Sequence, residues 1–155
     1  MRRISNHISY EEAIRSNTAR RLGLRNYPSS QALENMKRLA KEIFEPLRVA
    51  NSNRPIRINS FYRSVKLNKA IGGSSRSQHC KGQAIDLDDT YGGMTNAQMF
   101  RWINDNLDYD QMIWEFGNNK NPDWVHVSYV SPQLNRNRKL KARRRNGRTT
   151  YEIMR

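Results

Sequence analysis

An α+β fold is the class that the sequence predicts, as a single domain with an antiparallel sheet and helices packed on one side. Two segments with helical periodicity and three with alternation of apolar and polar side chains predict it, and the helical segments are grouped apart from the strands that pair. Between Gln31 and Leu47, the apolar residues Leu33, Met36, Leu39, Ala40, Ile43, Phe44 and Leu47 recur along one helical face, behind Ser29 or Ser30 as N-cap and with Pro46 near the end. Thr95 or Asn96 opens a second helix that buries Met99, Phe100, Ile103 and Leu107, and a shorter helix is predicted from Tyr10 to Leu22. The segments Pro55 to Tyr62, Met112 to Phe116 and Trp124 to Val130 alternate apolar and polar side chains. The last two flank a turn-rich stretch, Gly117 to Pro122, and read as a hairpin. None of the helices carries an obvious site.

The 155 residues suit one compact domain. Lys and Arg number 28 against 14 Asp and Glu, and the net charge of +14 predicts attraction to something anionic: nucleic acid, a cell wall or a membrane surface. Only 36% of residues are hydrophobic, but their clustering and periodicity argue against wholesale disorder. A single cysteine, Cys80, excludes an internal disulfide framework and a zinc site built from several thiolates, and Cys80 itself reads as a small buried filler in a strand. No run approaches the ~18 apolar residues of a membrane span. The opening Met1 to His7 is not followed by the apolar stretch of a secretory signal, so synthesis in a cytoplasm without a signal peptide is expected. Residues 134–155 hold nine Lys/Arg against the single acid Glu152. Such a block repels itself and has little to bury, so the expected division is a domain over 1–133 and a basic, solvated C-terminal tail over 134–155. The sharper reading of that tail is a tether to a phosphate-rich polymer.

The stretch Ser77 to Asp88 carries the chemistry. It sets His79 and Asp86 seven apart, with Gly82 to turn the backbone and the small Ala84 to avoid crowding. The chain has three histidines, at 7, 79 and 126. Together His79, Asp86 and His126 would supply two imidazole nitrogens and one carboxylate oxygen to a zinc ion, with the fourth tetrahedral position open to solvent, as catalytic rather than structural sites require. Spacing alone leaves open that these are ordinary polar residues of a sheet.

The pattern Ser77-x-His79-x-x-Gly82-x-Ala84-x-Asp86 followed by Trp124-x-His126 resembles the signature of the zinc D-alanyl-D-alanine carboxypeptidase family, which includes VanX-type dipeptidases and phage endolysins. Upstream, Ile58 to Ser64 and Asn68 to Ser74 resemble the strand and loop ahead of that motif, and Ser16 to Arg20 with Asn26-Tyr27-Pro28 resembles the opening of the carboxypeptidase-like branch. The resemblance covers residues 7 to 130 and implies a hedgehog/DD-peptidase-like fold, with Zn2+ held by His79, Asp86 and His126. It also implies that Arg63 pairs with a substrate carboxylate or carbonyl, a role suited to a planar, permanently charged fork. Ser77 falls near the substrate's polar end by the same resemblance, although a hydroxyl there equally suits a turn cap. Several members carry a glutamate as general base three residues before the last histidine, where this chain has Asp123. If the hairpin folds about the centre of its turn, Glu115 lies directly across from His126 on the same face, with Cβ atoms about 5 Å apart. Glu115 is therefore the first candidate for the base and Asp123 the second.

The implied reaction is metal-assisted hydrolysis of an amide in peptidoglycan stem peptides, by D-Ala-D-Ala carboxypeptidase or endopeptidase action. The expected protein is a monomeric lytic enzyme of a phage or prophage that acts on the cell wall and holds anionic wall polymer through its tail. Two other classes fit less of the chain: a non-catalytic, zinc-stabilised wall-binding or virion structural module, and a nucleic-acid-binding protein acting through residues 136–148. The second has only the tail in its favour, with no helix-turn-helix, RNA-recognition or zinc-finger pattern, so nucleic acid is not an expected partner.

Overall fold

In the computed structural model, which describes residues 2–155, the strands fall into two sheets. A small ribbon pairs β1 (Arg3–Ser5) with β2 (Ile8–Ser9). The main sheet holds β3 (Arg57–Ser60), β4 (Ala84–Asp88), β5 (Gln111–Glu115), β6 (Trp124–Ser128), β7 (Arg138–Arg145) and β8 (Arg148–Ile153) in the order β3-β4-β6-β5-β7-β8. The helices are α1 (Tyr10–Ile14), α2 (Asn17–Leu22), α3 (Ser30–Leu39), α4 (Glu45–Ala50), α5 (Val65–Ala70) and α6 (Asn96–Asn106). The α+β class holds. The sheet is antiparallel except where β7 runs parallel to β5.

Local chemistry accounts for the helix limits. Ser29 caps α3 by accepting the Ala32 N–H, and Thr95 caps α6 in a capping box with Gln98. Between α3 and α4 the helix widens into a π-turn over Ala40–Phe44, where the Glu45 N–H bonds the Ala40 carbonyl. The widening sits directly ahead of Pro46, which has no N–H to donate and whose ring would press on the carbonyl four residues back. The helix expected from Tyr10 to Leu22 is two, because Ser16 turns the chain and starts α2 by accepting the Ala19 N–H.

Alternation then divides the main sheet into two faces. Ile58, Ile85, Leu87, Met112, Trp114, Val125 and Val127 point to one side and are buried with Met36, Leu39, Ile43, Phe44, Phe100 and Ile103 of the helices. On the other side the pairs Asp86–His126, His126–Ile113 and Glu115–Ala142 stand side by side. Helices α1, α3, α4 and α6 therefore close the apolar face and leave the opposite one for chemistry.

Three expectations are corrected. The β5–β6 hairpin pairs Ile113 with His126 and Glu115 with Trp124, two residues away from a register centred on its turn. Its loop closes asymmetrically: Phe116 and Gly117 both take positive φ, 56° and 66°, and the Asp123 N–H bonds the Glu115 carbonyl at 2.8 Å. A slip of two keeps every side chain on its expected face. Cys80 is half-buried in a 3-10 turn, not a filler in a strand. The basic segment, finally, is not a solvated arm. Leu140 and Ala142 alternate with its charges and bury against Ile113, Asn146-Gly147 with φ of 51° and 76° makes the tight turn between β7 and β8, and Arg136 anchors the entry to β7 on Asp110.

A chain ending at residue 133 would lose those contacts and uncover the β5 edge. Its melting temperature is expected to drop by about 10 °C or more, with self-association through the open strand. Circular dichroism melts with light scattering check this; a melt equal to that of the full chain would restore the solvated arm.

Candidate active site

Asp86 and His126 are opposed on neighbouring antiparallel strands, so their side chains rise together from the open face. His79 arrives from the 3-10 turn Gln78–Lys81, which Ser77 caps by accepting the His79 N–H at 3.3 Å. Gly82 ends the turn at φ +70°, and a Cβ there would lie 2.4 Å from the Ala32 carbonyl oxygen, so glycine is required both for the conformation and for the packing on α3. Arg63 follows β3 and donates its N–H to the His79 carbonyl at 3.2 Å. Asn26 clamps that strand end: its amide donates to the Ile14 and Tyr62 carbonyls, and its oxygen accepts the Ser64 N–H at 2.7 Å.

His79 is 1% exposed, and its Nδ1 lies 2.8 Å from the Phe61 carbonyl, which only accepts. The proton is thereby fixed on Nδ1, and Nε2 presents a lone pair. That Nε2 is buried with no hydrogen-bond partner, 3.2 Å from Asp86 Oδ2 but out of line with it. On the other side His126 Nδ1 is 3.0 Å from Asp86 Oδ1. One ligand atom from each of the three residues lies within 4.8 Å of the others. An orphaned imidazole lone pair facing a carboxylate is mutually repulsive unless a cation sits between them. The two-nitrogen, one-oxygen donor set suits zinc.

Burial lowers the His79 pKa despite the pull of Asp86, which keeps the ring in its neutral, ligating form. Burial would raise the Asp86 pKa, but the two imidazoles outweigh it and hold the carboxyl far below the usual range. Burial pushes Glu115 up to about 7, with His126 and Arg63 pulling it down and Asp86 adding to the rise. Burial lowers the Arg63 pKa, Asp86 opposes it, and its Nε is a buried donor without a partner.

These residues share one cavity of about 640 Å³, lined by Arg63, Ser77, His79, Asp86, Glu115 and His126 among others. Asp123 is not in it. It is exposed on the flank, its N–H bonded to Glu115 and its carbonyl to the Asn96 amide, because strand alternation turns it away from Trp124 and His126. Ser77 caps the His79 turn and also reaches the cavity wall. Sequence reasoning missed Asp110. Its buried carboxylate takes two hydrogen bonds from the Arg136 guanidinium, at 3.0 and 2.8 Å, and one from the Gln78 amide at 2.9 Å, tying the C-terminal strands to the turn that carries His79. No local pattern marks such a long-range contact. Arg144 and Tyr151 also line the cavity, and the Asn146-Gly147 turn signal between alternating segments could have placed them.

A buried and a half-buried imidazole around one carboxylate, with a second carboxylate of raised pKa in the same cavity, are the groups a metal-dependent hydrolase uses. The family model described as Peptidase M15 matches residues 6–128, and the chain belongs to that family, the zinc D-Ala-D-Ala carboxypeptidase family of metallopeptidases. No curated protein matches it. The matched span contains all three candidate ligands and ends before β7 and β8.

Two outcomes follow from this geometry. Purified protein is expected to hold close to one zinc per chain; His79→Ala and His126→Ala lose it, while Glu115→Gln keeps it, as elemental analysis will show. In chelator, Glu115 is expected to cost stability as pH rises. Its folded pKa of about 7 exceeds the ordinary 4.5, so its contribution is fully present below 4.5 and is lost through the window up to 7. Glu115→Gln should therefore gain on wild type between pH 5 and pH 8 in thermal melts. His79 titrates with the opposite sign in both proteins and largely cancels.

Proposed function

We propose that this zinc peptidase hydrolyses amide bonds in peptidoglycan stem peptides, as a D-Ala-D-Ala carboxypeptidase or endopeptidase, and that it is a lytic enzyme of phage or prophage origin. One observation carries the reading: the orphaned His79 Nε2 faces Asp86 and His126 in the same cavity as a carboxylate whose pKa suits proton transfer near neutrality. His79, Asp86 and His126 would hold the metal. Zinc bound there supplies Lewis acidity that polarises the scissile carbonyl and acidifies water.

The protein's own groups do the rest. Glu115, ionised, accepts the proton of the attacking water and passes it to the departing amine nitrogen. Arg63, with a buried donor unspent, holds a substrate carboxylate or carbonyl and fixes the amide over Glu115, so that attack is effectively intramolecular. Ser77 keeps the His79 turn in place and offers a hydroxyl at the wall. The cationic strands β7 and β8 supply attraction to anionic wall polymer, an effect that fades as salt shortens the Debye length below ~10 Å. Among the described residues no helix is long and apolar enough to cross a membrane. The resemblance to endolysin members supports the lytic role, and one complete cavity within one chain supports action as a monomer.

Digestion of purified peptidoglycan, with mass spectrometry of the fragments, tests the reading. Wild type should release peptide fragments that identify the bond cut, and zinc-loaded Glu115→Gln should release the same fragments about 10²- to 10⁴-fold more slowly. Equal rates would remove Glu115 from the mechanism, and no release at all would leave the non-catalytic module.

A further inference from the structure

The family match stops at residue 128, yet the matched residues do not complete the cavity, because Arg136, Leu140, Arg144 and Tyr151 also line it. The register shows how they reach it. Ile113 pairs with Leu140, Glu115 with Ala142, and Ala142 in turn with Tyr151. Side chains of paired residues share a face, so Glu115, Ala142 and Tyr151 form a row across three strands, spanning ~10 Å at ~4.8 Å per strand. The middle residue is small and buried, which leaves a trough between the carboxylate and the phenol.

The cations around this trough are not equivalent. Arg136 is committed to Asp110, and Arg143 lies on the opposite face with its Nε 3.5 Å from Glu152. Arg144 is on the cavity side and, among the described residues, has no carboxylate within 4.0 Å. It is nevertheless held in place. Its guanidinium carbon lies 5.0 Å from the centre of the Phe116 ring, which packs edge-on to Trp124 at 5.5 Å. Phe116 adopts φ 56°, costly for an aromatic L-residue, and its N–H bonds the Ala142 carbonyl at 3.1 Å. Strand β7 thus fixes both the ring and the guanidinium stacked on it, presenting an unpaired, pre-oriented fork at the Glu115 end of the cavity.

We propose that the β7–β8 hairpin is the specificity element of this peptidase, with Arg144, assisted by Tyr151, binding a carboxylate of an extended anionic peptide on the side of Glu115 away from Arg63. The inference rests on the peptidase reading and deepens it by setting substrate length. Arg63 follows β3 and Arg144 lies near the end of β7, four strand positions away in the sheet, about 19 Å at ~4.8 Å per strand. Even with both side chains leaning inward, an extended peptide at ~3.5 Å per residue needs roughly three to five residues to touch both. A dipeptide reaches one arginine; a peptide of stem length reaches both.

The test uses the zinc-loaded full chain with two synthetic substrates, a stem pentapeptide and an N-acylated D-Ala-D-Ala dipeptide, and compares wild type with Arg144→Gln and Tyr151→Phe, whose zinc content and melting point report folding. For Arg144→Gln, KM for the pentapeptide is expected to rise about tenfold with kcat little changed, a charge-assisted hydrogen bond's worth of ground-state binding, and the loss should exceed that for the dipeptide at least ~5-fold. Amidating only the pentapeptide's internal carboxylate, with the C-terminal carboxylate left free for Arg63, should reproduce the loss in wild type and add nothing in Arg144→Gln. Equal losses on both substrates, or none on the pentapeptide, overturn the proposal while the peptidase reading stands. If wild type cleaves neither substrate, the peptidase reading fails separately. Calorimetric titration of the pentapeptide into Glu115→Gln then decides the subsite, and a Kd indifferent to Arg144→Gln overturns it.

Discussion

Two groups that repel each other are held face to face at the cavity wall: the buried Nε2 lone pair of His79 and the carboxylate of Asp86. The Phe61 carbonyl removes the alternative tautomer by taking the Nδ1 proton, and burial removes the alternative of a charged ring. What remains is an arrangement that a divalent cation resolves, and much of the surrounding chain serves to preserve it. Ser77 and Gly82 set the limits of the His79 turn, the α3 backbone leaves no room for a larger residue at 82, and Asp110, just ahead of β5, braces Gln78.

The same constraint explains why the site lies where it does. A sheet with helices on one face must bury that face with apolar residues, and strand alternation then delivers every second side chain to the other. Asp86, His126 and Glu115 all fall on the second set. Glu115 shares a cavity with the three candidate ligands and is buried enough that its ionisation is delayed to about 7. Nearby Asp123, one residue out of phase, is solvated and plays no part in the cavity. A difference of one position in a period of two separates a candidate base from a surface carboxylate.

Much of this was legible in the residues, and the misreadings have physical causes. The long helices, the strand segments and the three candidate ligands follow from periodicity and from a short motif, which are local signals. Register in the β5–β6 hairpin was misjudged by two residues because it depends on where Phe116 and Gly117 place the loop, and positive φ at a phenylalanine is not a signal that composition carries. The face survived that error, so Glu115 still falls on the side of Asp86 and His126. The C-terminal segment was misread because its charge outweighed its pattern: Leu140 and Ala142 sit two apart within a basic run, ahead of an Asn-Gly turn, which is the alternation of a strand despite the charge. Asp110 was invisible because its partners lie 26 and 32 residues away.

Once that segment is a pair of strands, its charge is no longer diffuse. Alternation along β7 sorts the cations: Lys139, Lys141 and Arg143 project to the helical side, where the Lys141 ammonium and the Arg101 guanidinium lie 5.5 and 5.9 Å from the Trp114 ring, while Arg144 projects to the cavity. A flexible arm would offer all its charges to any polyanion and could fold back over its own active site. A strand cannot do that. On the proposed reading, its lysines would face an anionic polymer on one side of the sheet and its cavity-side arginine a peptide on the other, so the two contacts would not compete for one surface. The parallel pairing of β7 on β5 makes that separation possible, since it fixes Arg144 one step beyond the Ala142 that stands beside Glu115.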